Sequence, residues 1–262
     1  MRLRVLVLLL LLLVAPPFAV AAPAPDLSGI AYEQKPGAQI PIQDMFRDDT
    51  GRMVRLDDLF EGKPLVLALG YFRCPNLCSV VRGDLFAALR ASGMTAGRDY
   101  ALAALSIDPS ETRADAAAAK AEDLQRYPAP GAAQNWHFLT GTFDAVQAVA
   151  NAVGFHERFD PELKQFAHPV GIVFATPTGA VSSYLLGVGY RPADVRLGVT
   201  RAASGSIAAA ALPVLLLCYD YNPVTGRYTL AIMKLLRLAA AITVLTVGGT
   251  LFLAFRREKG RA

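Results

Sequence analysis

Two thiols carry the most chemistry in this chain. Cys74 and Cys78 stand in Gly70-Tyr71-Phe72-Arg73-Cys74-Pro75-Asn76-Leu77-Cys78, after an apolar run from Pro64 to Leu69 and before a helix-periodic run from Val80 to Leu89. A thiol pair where a strand hands over to a helix is the layout of a redox or metal site. Pro75 suits the first helical position, where its missing N–H costs nothing. Cys74 is then the N-cap and Cys78 lies one turn on. A thiol at a helix N-terminus is favoured as thiolate, and Arg73 adds a positive charge beside it. Helical neighbours four apart hold their Cβ atoms about 5–6 Å apart, whereas a relaxed disulfide wants about 3.5–4.5 Å. A Cys74–Cys78 disulfide therefore needs some unwinding and is expected to be readily reduced. A soft metal asks for less. Bonds of about 2.3 Å and a trigonal angle set two sulfurs roughly 4 Å apart. Thiolates select Cu(I), and an added imidazole makes the site usable by Cu(II) as well. An inert staple is the plain alternative, but closing so short a loop constrains the unfolded chain little.

The surrounding elements decide what can face these sulfurs. Leu65 to Gly70 and Tyr100 to Ile107 read as core strands, Trp136 to Leu139 as a short one. Val80 to Ala91, Ser110 to Tyr127 and Thr142 to Val153 read as helices, closed by Gly93, Pro128 and Gly154. Gln39 to Phe46 and Met53 to Leu56, around Asp48-Asp49-Thr50-Gly51, suggest a hairpin. Val170 to Thr176 and Ala180 to Leu186 form a second one across Pro177-Thr178-Gly179, and Pro192 to Arg201 reads as a helix. Strand–helix alternation closed by a hairpin indicates an α/β, thioredoxin-like mixed sheet flanked by helices. There is no GxGxxG, P-loop or internal repeat. In such a fold the turn entering the strand at Val170 lies beside the cysteine helix, so His168 is the histidine expected to face both sulfurs. His137, between Trp136 and Phe138, reads as a satisfied strand residue, and His156 as solvated among Glu157, Arg158 and Asp160.

The chain has 262 residues, 53% of them hydrophobic, and its two ends account for the excess. Residues 1–22 carry Arg2 and Arg4, an unbroken apolar run from Val5 to Val14, and Ala19-Val20-Ala21, the pattern of a cleaved secretory signal. Residues 23–40, rich in Pro, Ala and Gly, read as a linker, 41–197 as the thioredoxin-like domain and 198–233 as an extension. Residues 234–257 read as a C-terminal transmembrane helix, because Leu238 to Phe255 carries no charge and just spans a bilayer. Residues 258–262 are then a short cytoplasmic tail. Arg256, Arg257, Lys259 and Arg261 follow the span against only Lys234 and Arg237 before it, which puts the C-terminus in the cytoplasm. The domain is then expected on the periplasmic face of a bacterial inner membrane. Ala202 to Leu217 is apolar enough to suggest a second span, but Ser204-Gly205-Ser206 and Pro213 favour a docked helix. The net charge of +4 is largely terminal, which leaves no basic face suited to nucleic acid. Three cysteines in an exported chain leave Cys218 over, as a buried thiol or an accessory ligand.

Five ordered segments resemble the Sco/SenC family of copper-binding, thioredoxin-like assembly factors for cytochrome c oxidase. They are Gly62-Lys63-Pro64-Leu65-Val66-Leu67 leading to Tyr71 and the Cys74–Cys78 motif, Ser106-Ile107-Asp108-Pro109, Trp136-His137-Phe138-Leu139-Thr140-Gly141, Ala152-Val153-Gly154-Phe155, and His168 ahead of an apolar strand. The resemblance covers about Pro41 to Leu197. It implies copper held by Cys74, Cys78 and His168, with Asp108 near the site but not a ligand. It also implies delivery of copper to the oxidase's copper-bearing subunit, or reduction of that subunit's cysteines. Asn76 stands where the family has Asp and Ser79 where it has Pro; the loss of a carboxylate at Asn76 is expected to ease thiolate formation. Pro169 is similar to the proline that thioredoxins place opposite their cysteines. Three functions are therefore open: a copper metallochaperone, a thiol–disulfide oxidoreductase using Cys74 and Cys78, or a redox or copper sensor coupled through Cys218 and the tail. A peroxidase is disfavoured because its Thr-x-x-Cys setting is absent.

Overall fold

The structure, a computed structural model, describes residues 29–74, 78–161 and 164–210, the pairs 221–222 and 227–228, and 239–240, 242–244 and 246–249. Gly29–Thr229 forms a compact unit. In chain order it contains β1 (Ala31–Tyr32), β2 (Met45–Arg47), β3 (Met53–Arg55), α1 (Leu56–Phe60), β4 (Leu65–Gly70), α2 (Cys78–Ala91), β5 (Ala101–Ser106), α3 (Arg113–Arg126), α4 (Ala132–Asn135) and β6 (Trp136–Leu139). There follow α5 (Phe143–Ala152), β7 (Phe155–His156), β8 (Arg158–Asp160), β9 (Gln165–Ala167), β10 (Gly171–Ala175), β11 (Val181–Leu186) and α6 (Pro192–Ala203).

Five strands make the central sheet in the order β11-β10-β4-β5-β6. β4, β5 and β6 run parallel, while β10 is antiparallel to β4 and β11 to β10. This is the expected mixed sheet, and it is buried on both faces, as parallel strands require. Side chains alternate with period two. Leu65, Leu67, Leu69, Ala103, Leu105 and Val173 join Phe46, Val146, Val149 and Phe155 in one core. Val66, Ala68, Leu102, Phe138, Ile172 and Phe174 join Leu85, Phe86, Leu89, Val195 and Val199 in the other. α6 approaches closely because it carries Gly198, where a Cβ would lie 2.4 Å from the Phe174 ring.

Several expectations are adjusted. From residue 29 the stretch read as linker packs on the domain: β1 pairs with β7, and Ile40 is buried. Short apolar anchors, invisible against the Pro- and Gly-rich background, explain the difference. The helix expected from Ser110 starts at Arg113, where Thr112 caps the Ala114 amide and Asp115 closes a capping box. β8 and β9 form a small hairpin, and α4 is an added turn. α6 ends at Ala203, after which Ser206 accepts from the Ser182 hydroxyl (2.6 Å) and the Ala208 amide donates to the Ser182 carbonyl (2.8 Å). Residues 204–208 thus lie along β11 rather than continuing a helix. Cys218 lies outside the described residues. Among them no helix is long and apolar enough to cross a membrane. The span expected at 234–257 is described only at 239–249 in part, and is helical there.

One buried ion pair locks α2 to α3. Arg82 Nε donates to Asp123 at 2.8 Å, with 9% and 4% of the two side chains exposed, and the Arg82 guanidinium lies 5.8 Å from the Phe72 ring centroid. Burial pushes the Asp123 carboxyl up and Arg82 opposes it. Breaking such a pair costs about 3–5 kcal/mol because the other charge is left buried, whereas an apolar pair of similar volume is near neutral. Asp123→Asn is therefore expected to be strongly destabilised in thermal unfolding, and Arg82→Met with Asp123→Leu to recover most of the loss.

Candidate metal centre

β4 ends at Gly70, and the chain turns through Tyr71, Phe72 and Arg73 to Cys74. Cys74 is half-buried and packs at the edge of the first core. α2 begins at Cys78, so the second cysteine sits at the first position of the cysteine helix. Residues 75–77 and the Cys78 side chain lie outside the described residues, and with them the expected cap at Cys74.

The segment before Cys74 is held by Glu111, a residue the sequence reading passed over. Its side chain is fully buried. It accepts the Phe72 amide (2.8 Å), the Arg73 amide (2.5 Å) and the Ser106 hydroxyl (2.6 Å). Those donors offset the cost of burying a carboxylate. Ser106 ends β5 beside Gly70, and the Ile107 amide donates to the Gly70 carbonyl at 2.8 Å, so the loops after β4 and β5 are clamped together. In the sequence, Ser110-Glu111-Thr112 resembles the start of a helix. The Thr-x-x-Asp capping box from Thr112 was the signal that Glu111 precedes the helix and is available for another role.

Asp108 lies on the loop after β5, three residues before Glu111. Its carboxylate accepts the Ser110 amide at 2.8 Å and lies 3.7 Å from the Arg73 guanidinium. Arg73 also lies 3.7 Å from Glu111 and 3.6 Å from Asp115, and donates to the Ser110 hydroxyl at 2.7 Å. Hydrogen bonds from Thr112 hold the Asp115 carboxyl below its usual range, with Arg73 adding to the effect. The thiolate-favouring charge expected at Arg73 is thus directed into a nest of carboxylates, which cancels much of its field at Cys74.

His168 arrives at the same end of the sheet. β10 pairs with β4 in the register Ile172↔Ala68. Carried four residues further, that register brings His168 level with Phe72, two residues before Cys74. A Cβ on Gly70 would lie 3.9 Å from His168 Cε1, so the ring rests over the last residue of β4. Tyr71 meets the imidazole edge-on at 5.9 Å, and Phe155 lies 5.8 Å away. Phe166 on β9 packs against Tyr71 from the arm leading into His168. A small cavity of about 20 Å³ touches His168, Gly70, Phe72, Val81 and Arg82, joining the ring to the first turns of α2. His168 Nδ1 is 2.9 Å from the Pro169 carbonyl oxygen. A carbonyl only accepts, so Nδ1 carries the proton in that bond and the lone pair resides on Nε2, the form in which a neutral imidazole ligates a soft metal.

The other histidines stand apart. His137 on β6 is half-buried, and burial, then the Lys120 charge, pushes its pKa down. His156 is half-buried and lies 3.2 Å from Glu33. Among the described residues no three His, Cys, Asp or Glu side chains are grouped to hold a metal ion. Of the three expected ligands, the side chains of Cys74 and His168 are among the described residues.

Comparison with known proteins adds a family. The family model described as SCO1/SenC matches residues 35–196. A protein of Aquifex aeolicus VF5 described as a candidate electron transfer protein is 22% identical, with a TM-score of 0.57 over 65% of this chain and 95% of that one. The ScoI of Arabidopsis thaliana, solved with copper bound, is 18% identical, with a TM-score of 0.50 over 63% and 99%. A SCO1/SenC family lipoprotein from Bacillus anthracis str. Ames is 17% identical, with a TM-score of 0.52 over 66% and 99%. At these identities the likeness shows the fold, which is thioredoxin-like α/β. A search of curated proteins found no match.

Glu111→Gln keeps the shape of the clamp but replaces one acceptor with a donor that opposes the amide it must receive. Hydrogen bonds to charged groups contribute about 1.5–3 kcal/mol each. Hydrogen exchange of the Phe72 and Arg73 amides is expected to quicken at least several-fold in this variant while the β10 amides stay protected. Unchanged exchange at both positions would refute the clamp.

Proposed function

The chain belongs to the SCO1/SenC family, and from that premise we propose that it is a membrane-tethered, extracytoplasmic copper metallochaperone serving the copper centre of cytochrome c oxidase. Copper is its cargo. Cys74 and Cys78 supply thiolates and His168 the imidazole, a soft donor set that accepts Cu(I) and tolerates Cu(II). The observation that carries this reading is the His168 ring resting over Gly70 at the mouth of the loop that leads to Cys74. The copper bound by the Arabidopsis relative supports the same cargo here.

The residues divide the work. The Glu111 clamp holds the Cys74 loop so that a sulfur need not be ordered when copper arrives, which limits the entropy lost on binding. The Pro169 carbonyl keeps the imidazole in the ligating tautomer. Cys74 is half-buried, a degree of access that suits a site that must hand its cargo on.

The tether is proposed from the chain's ends: a signal peptide at 1–22 and a C-terminal helix at 234–257 whose tail is cytoplasmic. Two observations support the helix. Ile242, Val244 and Val247 are 54%, 60% and 53% exposed, an apolar surface that lipid would cover. The Thr243 and Thr246 hydroxyls donate at 2.9 Å to the Ala239 and Ile242 carbonyls, which satisfies them without water. The Bacillus relative's description as a lipoprotein fits the same placement.

Titration of the reduced full-length protein with Cu(I) against a competing chelator tests the cargo. One copper per chain is expected, and His168→Ala is expected to weaken binding by at least about tenfold, the lower range for losing a group that organises a metal. Affinity unchanged in His168→Ala, with disulfide exchange that needs Cys74 and Cys78 alone, would move the assignment to a thiol–disulfide oxidoreductase.

A further inference from the structure

We propose that a groove beside the Cys74 loop is the docking surface for the client protein, and that its occupant is an acidic segment of that client bearing an apolar side chain. The word client rests on the chaperone reading; the location of the surface rests on the following geometry.

The parallel strands β4, β5 and β6 all end at one edge of the sheet, where open α/β sheets gather their ligands. The loop after β4 carries Cys74, the loop after β5 carries Glu111 and Thr112 and leads into Arg113 at the start of α3, and the loop after β6 carries Thr140 to Thr142. The β2–β3 hairpin stands opposite. It is stitched to the end of β6 by the Arg47 amide donating to the Thr140 carbonyl (2.7 Å) and the Thr140 amide to the Arg47 carbonyl (2.9 Å). Hairpin and loops enclose an open groove of about 520 Å³ lined in part by Met45, Arg47, Met53, Glu111, Arg113 and Thr142. Glu111 is shared: it lines this groove and holds the Phe72 and Arg73 amides on the other side. An occupant of the groove is thereby brought to the loop that presents Cys74.

The lining states what fits. Arg47 pairs with Met53 and Met45 with Arg55 across the hairpin, so these four share one face. Met45 and Met53 are 43% and 50% exposed, and Phe143, next after Thr142, is 59% exposed. Two exposed thioethers make an adaptable apolar contact. The charge is one-sided. Arg52 is neutralised by Asp48 at 3.2 Å, and Arg55 by Asp57 at 3.1 Å and Asp58 at 3.3 Å. The Arg47 guanidinium donates to the Gly51 carbonyl at 2.9 Å, and neither it nor Arg113 forms an ion pair among the described residues. The Glu111 carboxylate is already occupied by its three donors, and the Arg73 guanidinium at 3.7 Å offsets its charge. Two uncompensated guanidinium groups beside two thioethers call for carboxylates around an apolar residue. A groove walled by a hairpin and loops suits a segment of chain better than a flat lipid surface.

The wall is built to keep its shape. Asp48 accepts the Thr50 amide (2.9 Å), the Thr50 hydroxyl (2.6 Å) and the Arg52 amide (2.9 Å) within the hairpin turn. Gly51, at φ +93°, brings the turn so near α3 that a Cβ would lie 2.9 Å from Arg113 Cδ. The Asp49 carboxylate receives the Lys120 ammonium at 2.9 Å, which ties the same turn to the body of α3.

The test uses the reduced full-length protein in a neutral detergent and two short peptides, each with one cysteine held as a mixed disulfide with thionitrobenzoate. One peptide carries glutamates around a leucine; the other carries glutamines instead. A protein thiolate attacks the peptide sulfur, the protein–peptide disulfide forms, and thionitrobenzoate leaves as its coloured thiolate. At low ionic strength the acidic peptide is expected to react about tenfold faster, the lower end of electrostatic steering, and added salt to shrink the advantage. Arg47→Gln combined with Arg113→Gln is expected to erase that advantage while the glutamine peptide's rate and the Cu(I) affinity stay unchanged. Equal rates for the two peptides with the native protein overturn the proposal. So does an advantage that survives the double variant, or a variant that slows both peptides alike. Arginine-dependent binding to anionic phospholipid vesicles without any peptide preference would assign the surface to a membrane instead. The assay reads thiol exchange alone, so failure to bind Cu(I) would sink the chaperone reading without touching this result.

Discussion

The antiparallel pairing of β10 against β4 is the constraint on which the site depends. It turns the exit of one strand and the entry of another to the same end of the sheet, and it sets His168 over Gly70. The register cannot slip. A shift of one residue would exchange the faces of Ile172 and Phe174, which belong to one core, with those of Val173 and Ala175, which belong to the other. Both cores therefore enforce the placement of the imidazole, although none of the residues that do so touches copper chemistry.

The cysteine loop is positioned by a second device of a different kind. Burying Glu111 is unfavourable unless its oxygens are satisfied, and the donors that satisfy it are backbone amides of the loop that needs holding. The cost of the buried charge becomes a force on the loop. Arg73 then has carboxylates on three sides, so its guanidinium is spent on holding the loops together rather than on the Cys74 sulfur.

Much of this was legible in the sequence where a local rule governs. The apolar runs at Leu65 and Ala101 are strands because they are buried on both faces, and Thr142 caps α5 as its spacing demands. The expectation of a metal at the cysteine pair and His168 came from residue type alone, because few side chains ligate soft metals; the structure adds that His168 rests over Gly70, at the start of the loop to Cys74. What could not be read is tertiary. Glu111 resembles any acidic residue near a helix start, and only the meeting of the β4 and β5 loops gives it a role. Ile30 and Ile40 in a Pro- and Gly-rich stretch gave no periodicity, yet both are buried. The groove between the hairpin and the β5 and β6 loops has no sequence signature, because its walls come from three separate segments.

The copper-edge X-ray absorption spectrum of the Cu(I)-loaded full-length protein tests the central claim most directly. The account predicts sulfur from Cys74 and Cys78 and an imidazole nitrogen from His168 in the metal's surroundings, with the nitrogen signature gone in His168→Ala. A spectrum fitted by sulfur alone, and identical in the native protein and the variant, would contradict it.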